Sequence, residues 1–388
     1  MNTNKEEVRE IPFYLPSIND DELAQIKDVL QLSYDSKVSK FEDDLKNFVG
    51  AEYAIATNNA TAALHLALSS MDLKRGDKIV MSVNSFPNIP EVVRHFDAEP
   101  IFVDINPQDM NIDLAKFEKL LQSNENKKLR GAIVTFIAGQ TPNLDKLYEI
   151  AKKYDIVLIE DATNALGVTY NDDAIGSLQA DMTVFSMNPS NSKISICNGG
   201  AIVTNNPALY ERAKLLRTHA LKTSFDIYGN LDYVYDVVDI GHKYDMTELE
   251  AAFCVAQLKK TNKFIKRRKE IAKIYNQKLA GLKHVALCEH SEEHIFTQYI
   301  VKISRNRDAF ARALKEVGIS TGLHYIPLHL LSYYKQKYNL KITTYPTALT
   351  LYQQVLSLPI YPSMSDDDVN YVCDKVIEIA QNWVWIEK

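Results

Sequence analysis

Between Gly131 and Ala162 the chain reads GAIVTFIAGQTPNLDKLYEIAKKYDIVLIEDA. The run Gly131–Phe136 is short, apolar and rich in β-branched residues, which suits a strand. Asn143–Tyr154 places apolar residues at helical spacing, and Ile156–Ile159 is a second short apolar run. Strand, helix, strand in about thirty residues is the crossover unit that joins parallel strands. Neither apolar run alternates with polar residues, so both strands are expected to be buried on both faces.

The same grammar extends outward. Lys78–Ser82, Pro100–Val103, Thr183–Phe185 and Ala201–Val203 are further strand-length apolar runs. Asp20–Leu32 and Thr61–Met71 read as helices, the first with acidic residues in its opening turn, the second preceded by the capping material Asn58-Asn59-Ala60. This alternation predicts an α/β fold with a mainly parallel sheet covered by helices. From Met246 a long helical pattern begins, followed by a strand-like Ile295–Ile303, a helix near Asp308–Val317 and a closing helix near Asp366–Gln381. The expected division is a large domain over residues 1–263 and a smaller C-terminal α/β domain over residues 264–388, hung from the long helix.

With 388 residues, 46% of them hydrophobic and 24% charged, the composition excludes disordered, collagenous and simple coiled-coil classes. Forty-four basic residues against fifty acidic ones give a net charge of −6, so the electrostatic footprint of a nucleic-acid binder is missing. The opening MNTNKEEVRE lacks the basic-then-apolar order of a signal peptide, and no apolar run approaches the ~18 residues of a membrane span. The four cysteines are scattered and the nine histidines form no H-x-x-x-H or H-E-x-x-H spacing. A soluble cytoplasmic protein with reduced thiols and no metal site is expected, binding neither nucleic acid nor membrane. The run Lys266-Arg267-Arg268-Lys269 reads as a solvated helix face.

Three loops follow strand-like runs on the side where open α/β sheets hold ligands. Thr57-Asn58-Asn59-Ala60-Thr61 enters a helix, whose free N–H groups suit an anion such as phosphate. Glu160-Asp161-Ala162 puts carboxylates at a buried strand end, where a cationic ring nitrogen or an ordinary helix cap could be the partner. Ser186–Asn198 contains one lysine, Lys193, and ends at Gly199-Gly200.

The order of these features resembles fold-type I pyridoxal phosphate enzymes, and more closely the sugar-nucleotide aminotransferases of the DegT/DnrJ/EryC1/StrS family. The likeness is carried by Asn59–Leu66 (NATAALHL), Ala98–Asp104 (AEPIFVD), Ile159–Gly167 (IEDATNALG), Gly241–Glu248 (GHKYDMTE), Thr321–Tyr325 (TGLHY) and Leu358–Pro362 (LPIYP), spread over nearly the whole chain. The resemblance implies pyridoxal 5'-phosphate as cofactor, in its pyridoxamine phosphate form during turnover. Asp161 would pair with the ring nitrogen, Phe86 would stack on the ring, and Ala60, Thr61 and Ser186 would hold the phosphate. Asn164 would lie beside the ring, and Lys243 would complete the phosphate site of a neighbouring subunit, implying a homodimer with shared active sites. His324 and Tyr325 resemble the segment that reaches toward a sugar-nucleotide substrate. The donor implied is glutamate, and the product a sugar of surface glycans.

The sequence departs from the family pattern near the expected site. The lysine that would bond the cofactor falls at Asn191 counted from Ser186, or at Ser192 counted back from Gly199-Gly200, whereas the lysine present is Lys193. Asn164 stands where His or Gln is usual, Asn198 replaces an acidic residue, and Tyr34-Asp35-Ser36-Lys37 replaces a T-x-G-P stretch. Three functions therefore stand open: an aminotransferase in which Lys193 serves as the catalytic lysine, a lysine-free sugar-modifying enzyme of the dehydratase kind that keeps the cofactor, and a catalytically degenerate homologue that acts as a binding or regulatory partner.

Overall fold

The computed structural model describes residues 9–31, 35–123, 128–187, 197–223 and 233–382. Lys193, Asn191 and Ser192 lie outside the described residues, as does Tyr34.

In chain order the strands are β1 (Tyr53–Thr57), β2 (Lys78–Ser82), β3 (Glu99–Val103), β4 (Leu129–Thr135) and β5 (Val157–Asp161). A short ribbon of β6 (Thr169–Tyr170) and β7 (Asp173–Ala174) precedes β8 (Met182–Ser186) and β9 (Gly200–Thr204). A second ribbon pairs β10 (Leu221–Thr223) with β11 (Tyr235–Val237). The main sheet has seven strands in the order β1-β9-β8-β5-β4-β2-β3. The pairs β3–β2, β2–β4, β4–β5 and β5–β8 are parallel, while β9 is antiparallel to both of its neighbours. The expected parallel sheet is therefore present, with β9 as its reversed strand.

Strand alternation sends successive side chains to two cores. Leu158 joins Phe41, Leu45, Leu147 and Phe253 on one face, and Ile159 joins Leu64, Leu68, Val92 and Leu216 on the other. Those residues belong to the helices Lys37–Val49, Leu144–Lys153 and Glu248–Leu279 on the first face, and Ala60–Ser70, Asn88–Arg94 and Pro207–Arg217 on the second. The strand β1 and three of these helices, Lys37–Val49, Asn88–Arg94 and Pro207–Arg217, are additions to the elements expected from sequence. Where T-x-G-P is replaced, Ser36 caps the helix Lys37–Val49 by accepting from Ser39 N at 3.2 Å, and its hydroxyl donates to Glu248 at 2.9 Å. The departure thus has a structural use.

A third core gathers Ile271 and Tyr275 from the second half of the long helix, Tyr299, Phe310 and Val372. It lies around a three-stranded antiparallel sheet of β12 (Val285–Leu287), β13 (Tyr299–Ile303) and β14 (Val355–Leu358). Ile11 belongs to this core as well, its N–H donating to Gly318 O at 2.8 Å. Position 263/264 falls inside the continuous 32-residue helix Glu248–Leu279, which serves both parts. The strand expected from Ile295 begins only at Tyr299, because Thr297 N is spent on Ala138 O at 3.2 Å, in the loop after β4. Among the described residues no helix is long and apolar enough to cross a membrane, and no group of three His, Cys, Asp or Glu could hold a metal ion.

Candidate active site

The carboxyl end of β5 carries two buried carboxylates on opposite faces. Glu160 is paired with Thr183 across the sheet and accepts from Thr183 Oγ1 at 2.8 Å and Tyr148 OH at 2.6 Å. Burial pushes its carboxyl up to about 6 although both hydroxyls favour the charged form. Asp161, only 3% exposed, sits opposite Thr135 on β4 and accepts from Thr135 Oγ1 at 2.9 Å and from Thr163 N at 3.3 Å. Burial raises its pKa too, and its described hydrogen-bond donors are neutral. A cationic N–H brought to this carboxylate would hold it ionised.

Beside Asp161 lies Tyr325, whose hydroxyl is pushed up to about 12 by burial and by the charge of Asp161, so it stays protonated. Asn164 Nδ2 donates to the Tyr325 hydroxyl at 3.4 Å, and Gln298 Nε2 donates to Asn164 Oδ1 at 3.4 Å. The Tyr325 backbone N–H donates to Asn84 Oδ1 at 3.1 Å, tying it to the turn after β2. That turn presents Phe86, 58% exposed, with its ring edge-on to Tyr325 at a centroid distance of 5.9 Å. An aromatic ring left this exposed beside a buried carboxylate is a free stacking surface.

The helix Ala60–Ser70 begins next to this group. Asn59 caps it by accepting from Ala62 N at 2.8 Å, an interaction worth about 1 kcal/mol. The N–H groups of Ala60 and Thr61 have no described acceptor, and the Thr61 hydroxyl accepts from Asn88 at 3.4 Å. Ser186, at the end of β8, pairs with Gly200 across the sheet. A Cβ on Gly200 would come within 2.4 Å of both Ala60 N and Asn59 C, so only glycine lets β9 lie against this helix start. Two unspent N–H groups at a helix start form a site for an anion.

Two expected residues have their polar partners elsewhere, although the His324 ring packs edge-on to Tyr325 at a centroid distance of 5.1 Å. Lys243 is exposed and its Nζ donates to Asp245 at 2.7 Å, on a segment joined to the helix start through Asn58 N and Tyr244 O at 2.9 Å. His324 is buried, its Nδ1 lies 2.7 Å from Ser357 Oγ and its ring is stacked 5.9 Å from Phe13; burial pulls it down to about 3, so it is neutral. Sequence reasoning missed Thr135, Asn84 and Gln298. Thr135 was within its reach, because the parallel neighbour of a strand-end carboxylate is the natural place for its donor.

The residues brought together fit a group with a cationic ring and an anionic tail. The buried carboxylate has only neutral donors, an open aromatic face stands next to it, and an anion cradle of backbone N–H groups begins beside the close approach at Gly200.

The comparisons with known proteins agree with that geometry. The model of the DegT/DnrJ/EryC1/StrS aminotransferase family matches residues 16–377. The Methanocaldococcus jannaschii protein MJ1066 is 34% identical over 383 residues, covering 95% of this chain and 97% of its own length. The spore coat polysaccharide biosynthesis protein SpsC of Bacillus subtilis is 32% identical, with 96% and 97% covered. Spr1654 of Streptococcus pneumoniae, named as a sugar aminotransferase and solved in its PMP form, superposes with a TM-score of 0.88 at 26% identity, over 96% of this chain and all of that one. It has also been solved in a PLP form, with a TM-score of 0.86. A family match over most of the length, relatives above 30% identity and a site of the matching chemical type lead to one assignment: the chain belongs to the DegT/DnrJ/EryC1/StrS aminotransferase family.

Proposed function

We propose that the protein is a pyridoxal-phosphate-dependent aminotransferase that converts a nucleotide-linked keto-deoxy sugar to an amino sugar in surface glycan biosynthesis, with glutamate as amino donor. The observation that carries this reading is the buried Asp161 carboxylate, held by neutral donors and facing the Phe86–Tyr325 side of the sheet. The relatives named for polysaccharide biosynthesis and sugar amination support the substrate class.

When bound, pyridoxal phosphate supplies an electron sink for the carbon that loses a proton. Asp161 would hold the proton on the ring nitrogen, oriented by Thr135 Oγ1 and Thr163 N. Ala60 N, Thr61 N, the Thr61 hydroxyl and Ser186 would grip the phosphate. Phe86 would cover one ring face and exclude water, while Asn164 would steady the Tyr325 hydroxyl toward the ring and substrate. Lys193 Nζ would take and return the proton at the reacting carbon, burial beside a cationic group bringing an amine toward neutrality. Lys243 would complete the phosphate site of a second copy in a homodimer. His324, through Ser357, would set the loop that aims Tyr325 at the sugar nucleotide. The division into residues 1–263 and 264–388 belongs to this reading.

A spectrum of the protein with added pyridoxal phosphate, before and after borohydride, followed by peptide mapping, tests the reading. A cofactor band and a pyridoxyl group fixed on Lys193 support it. Cofactor bound with no lysine modified favours a lysine-free dehydratase-like reaction, which the shifted lysine position motivates. With no cofactor bound, both enzyme readings fall and a degenerate scaffold remains.

A further inference from the structure

The basic run 266–269, expected to be a solvated face, divides in the structure. Arg267 donates to Asp366 and to Met364 O, each at 2.7 Å, and Lys269 donates to Glu292 O at 2.9 Å. Arg268 instead is half-buried and points into a cavity of about 110 Å³. It makes no hydrogen bond or ion pair with any described residue, although an arginine is always charged and carries five donors. Tyr14, its titratable neighbour, is pushed up to about 12 by burial and stays neutral, so it offers the guanidinium no counter-charge. No described carboxylate lines the cavity, and its other polar walls include Ser17 and Gln257. A desolvated guanidinium without a counter-ion is costly, and a bidentate anion would satisfy it.

The same cavity is lined by Thr163, Asn164 and Ser186, so it adjoins the candidate active site from the side of the long helix. Its size decides what anion enters. It holds about 110 Å³, whereas sites for drug-sized ligands hold about 300–1,000 Å³. A cavity of that size suits a short carboxylate-bearing chain better than a nucleotide. Arg268 shares its cavity with Thr163, Asn164 and Ser186 but not with Asp161, Phe86 or Tyr325, the groups expected to hold and face the ring, so the anion it meets lies to one side of the reacting carbon. We infer that Arg268 binds the side-chain carboxylate of a dicarboxylic amino donor and selects glutamate over monocarboxylic amino acids. This rests on the aminotransferase reading for the donor's role, but not for the anion site itself.

Two measurements test it. Glutarate, a dicarboxylate that cannot react, is titrated calorimetrically into the full-length protein, wild type, Arg268→Gln and Arg268→Lys. In parallel, conversion of bound cofactor by glutamate and by alanine is followed spectroscopically as a function of donor concentration. The expected result is a loss of glutarate affinity of about 10- to 100-fold in Arg268→Gln, the scale of a charge-assisted bond, with part kept in Arg268→Lys. The glutamate dependence should shift by the same factor while that of alanine is unchanged. Unchanged glutarate binding and glutamate dependence in well-folded Arg268→Gln would overturn the inference, as would equal losses for glutamate and alanine. Should the wild type convert cofactor with neither donor, the aminotransferase reading fails by itself. Arg268-dependent glutarate binding would then still uphold the anion site, and no binding would remove it.

Discussion

The two sides of the β5 end hold the same kind of group in two conditions. On one side, Glu160 is enclosed by the hydroxyls of Tyr148 and Thr183, within the core shared by Leu147 and Leu158. On the other, Asp161 has the side-chain hydroxyls of Thr135 and Thr163, one distant backbone N–H, and Tyr325 alongside. Burial raises both carboxyls. The difference lies in what surrounds them, a closed packing layer against an exposed aromatic ring and an anion cradle of backbone N–H groups. Adjacent residues on one strand therefore separate structural from chemical work, because alternation sends them to opposite faces.

Removing Asp161 should give the largest effect. Asp161→Asn keeps the shape but cannot stabilise a ring cation, so amino transfer should fall by about 100- to 1,000-fold, the scale of losing a preorganised electrostatic group. Thermal stability should hold or rise, since a buried charge is gone. Glu160→Gln should leave turnover within about threefold. Steady-state rates and melting curves of the two variants decide the matter, and comparable activity losses in both would break the division between the faces.

Next comes Gly200→Ala. The added Cβ would meet backbone at Ala60 N and Asn59 C rather than a flexible side-chain end, so the helix start must shift. Overpacking of this kind costs about 1–3 kcal/mol, and cofactor affinity should fall with it. Denaturant unfolding and cofactor titration measure the two losses. An unchanged affinity would detach Gly200 from the anion cradle and weaken the account of the open face.

Much of this arrangement was legible in the sequence. The apolar runs at Gly131–Phe136 and Ile156–Ile159 announced buried parallel strands, and Glu160-Asp161 followed directly as a strand-end pair. What could not be read was orientation across long separations. The edge strand Tyr53–Thr57 pairs with β9, a partner far along the chain. Arg268 reads as one of four solvated cations until Tyr14 and Pro362 from opposite ends of the sequence close around it. His324 reads as a reaching residue, while its burial depends on Phe13 and Ser357. Local pattern specifies which elements form; tertiary enclosure decides which of their polar residues are left with chemistry to do.

The remaining tests sharpen the contrast by smaller amounts. Because Glu160 is raised from 4.5 to about 6 in the folded state, the native protein binds more protons than the unfolded chain between those values. Its contribution to stability is full below about 4.5 and is lost as pH rises through about 6. At 1.36 kcal/mol per pH unit, the stability difference between wild type and Glu160→Gln should change by about 2 kcal/mol across that window, with wild type losing ground as pH rises. Urea unfolding of both proteins from pH 4.5 to pH 7 reads this directly, and a flat difference would mean that the Glu160 layer is wetter than its packing indicates.

Phe86→Ala should be the mildest on the fold, since a mostly exposed ring contributes within about 0.5 kcal/mol to stability. Its value lies in what it stacks on: an aromatic pair is worth about 0.5–1.5 kcal/mol beyond area burial, so cofactor affinity should weaken by roughly 2- to 12-fold. Equilibrium titration of the cofactor, alongside a melting curve without it, separates the two quantities. A variant that melts several degrees lower with no change in affinity would place Phe86 with Glu160 among the residues that hold the fold, and would leave Asp161 and the helix start as the whole of the exposed chemistry.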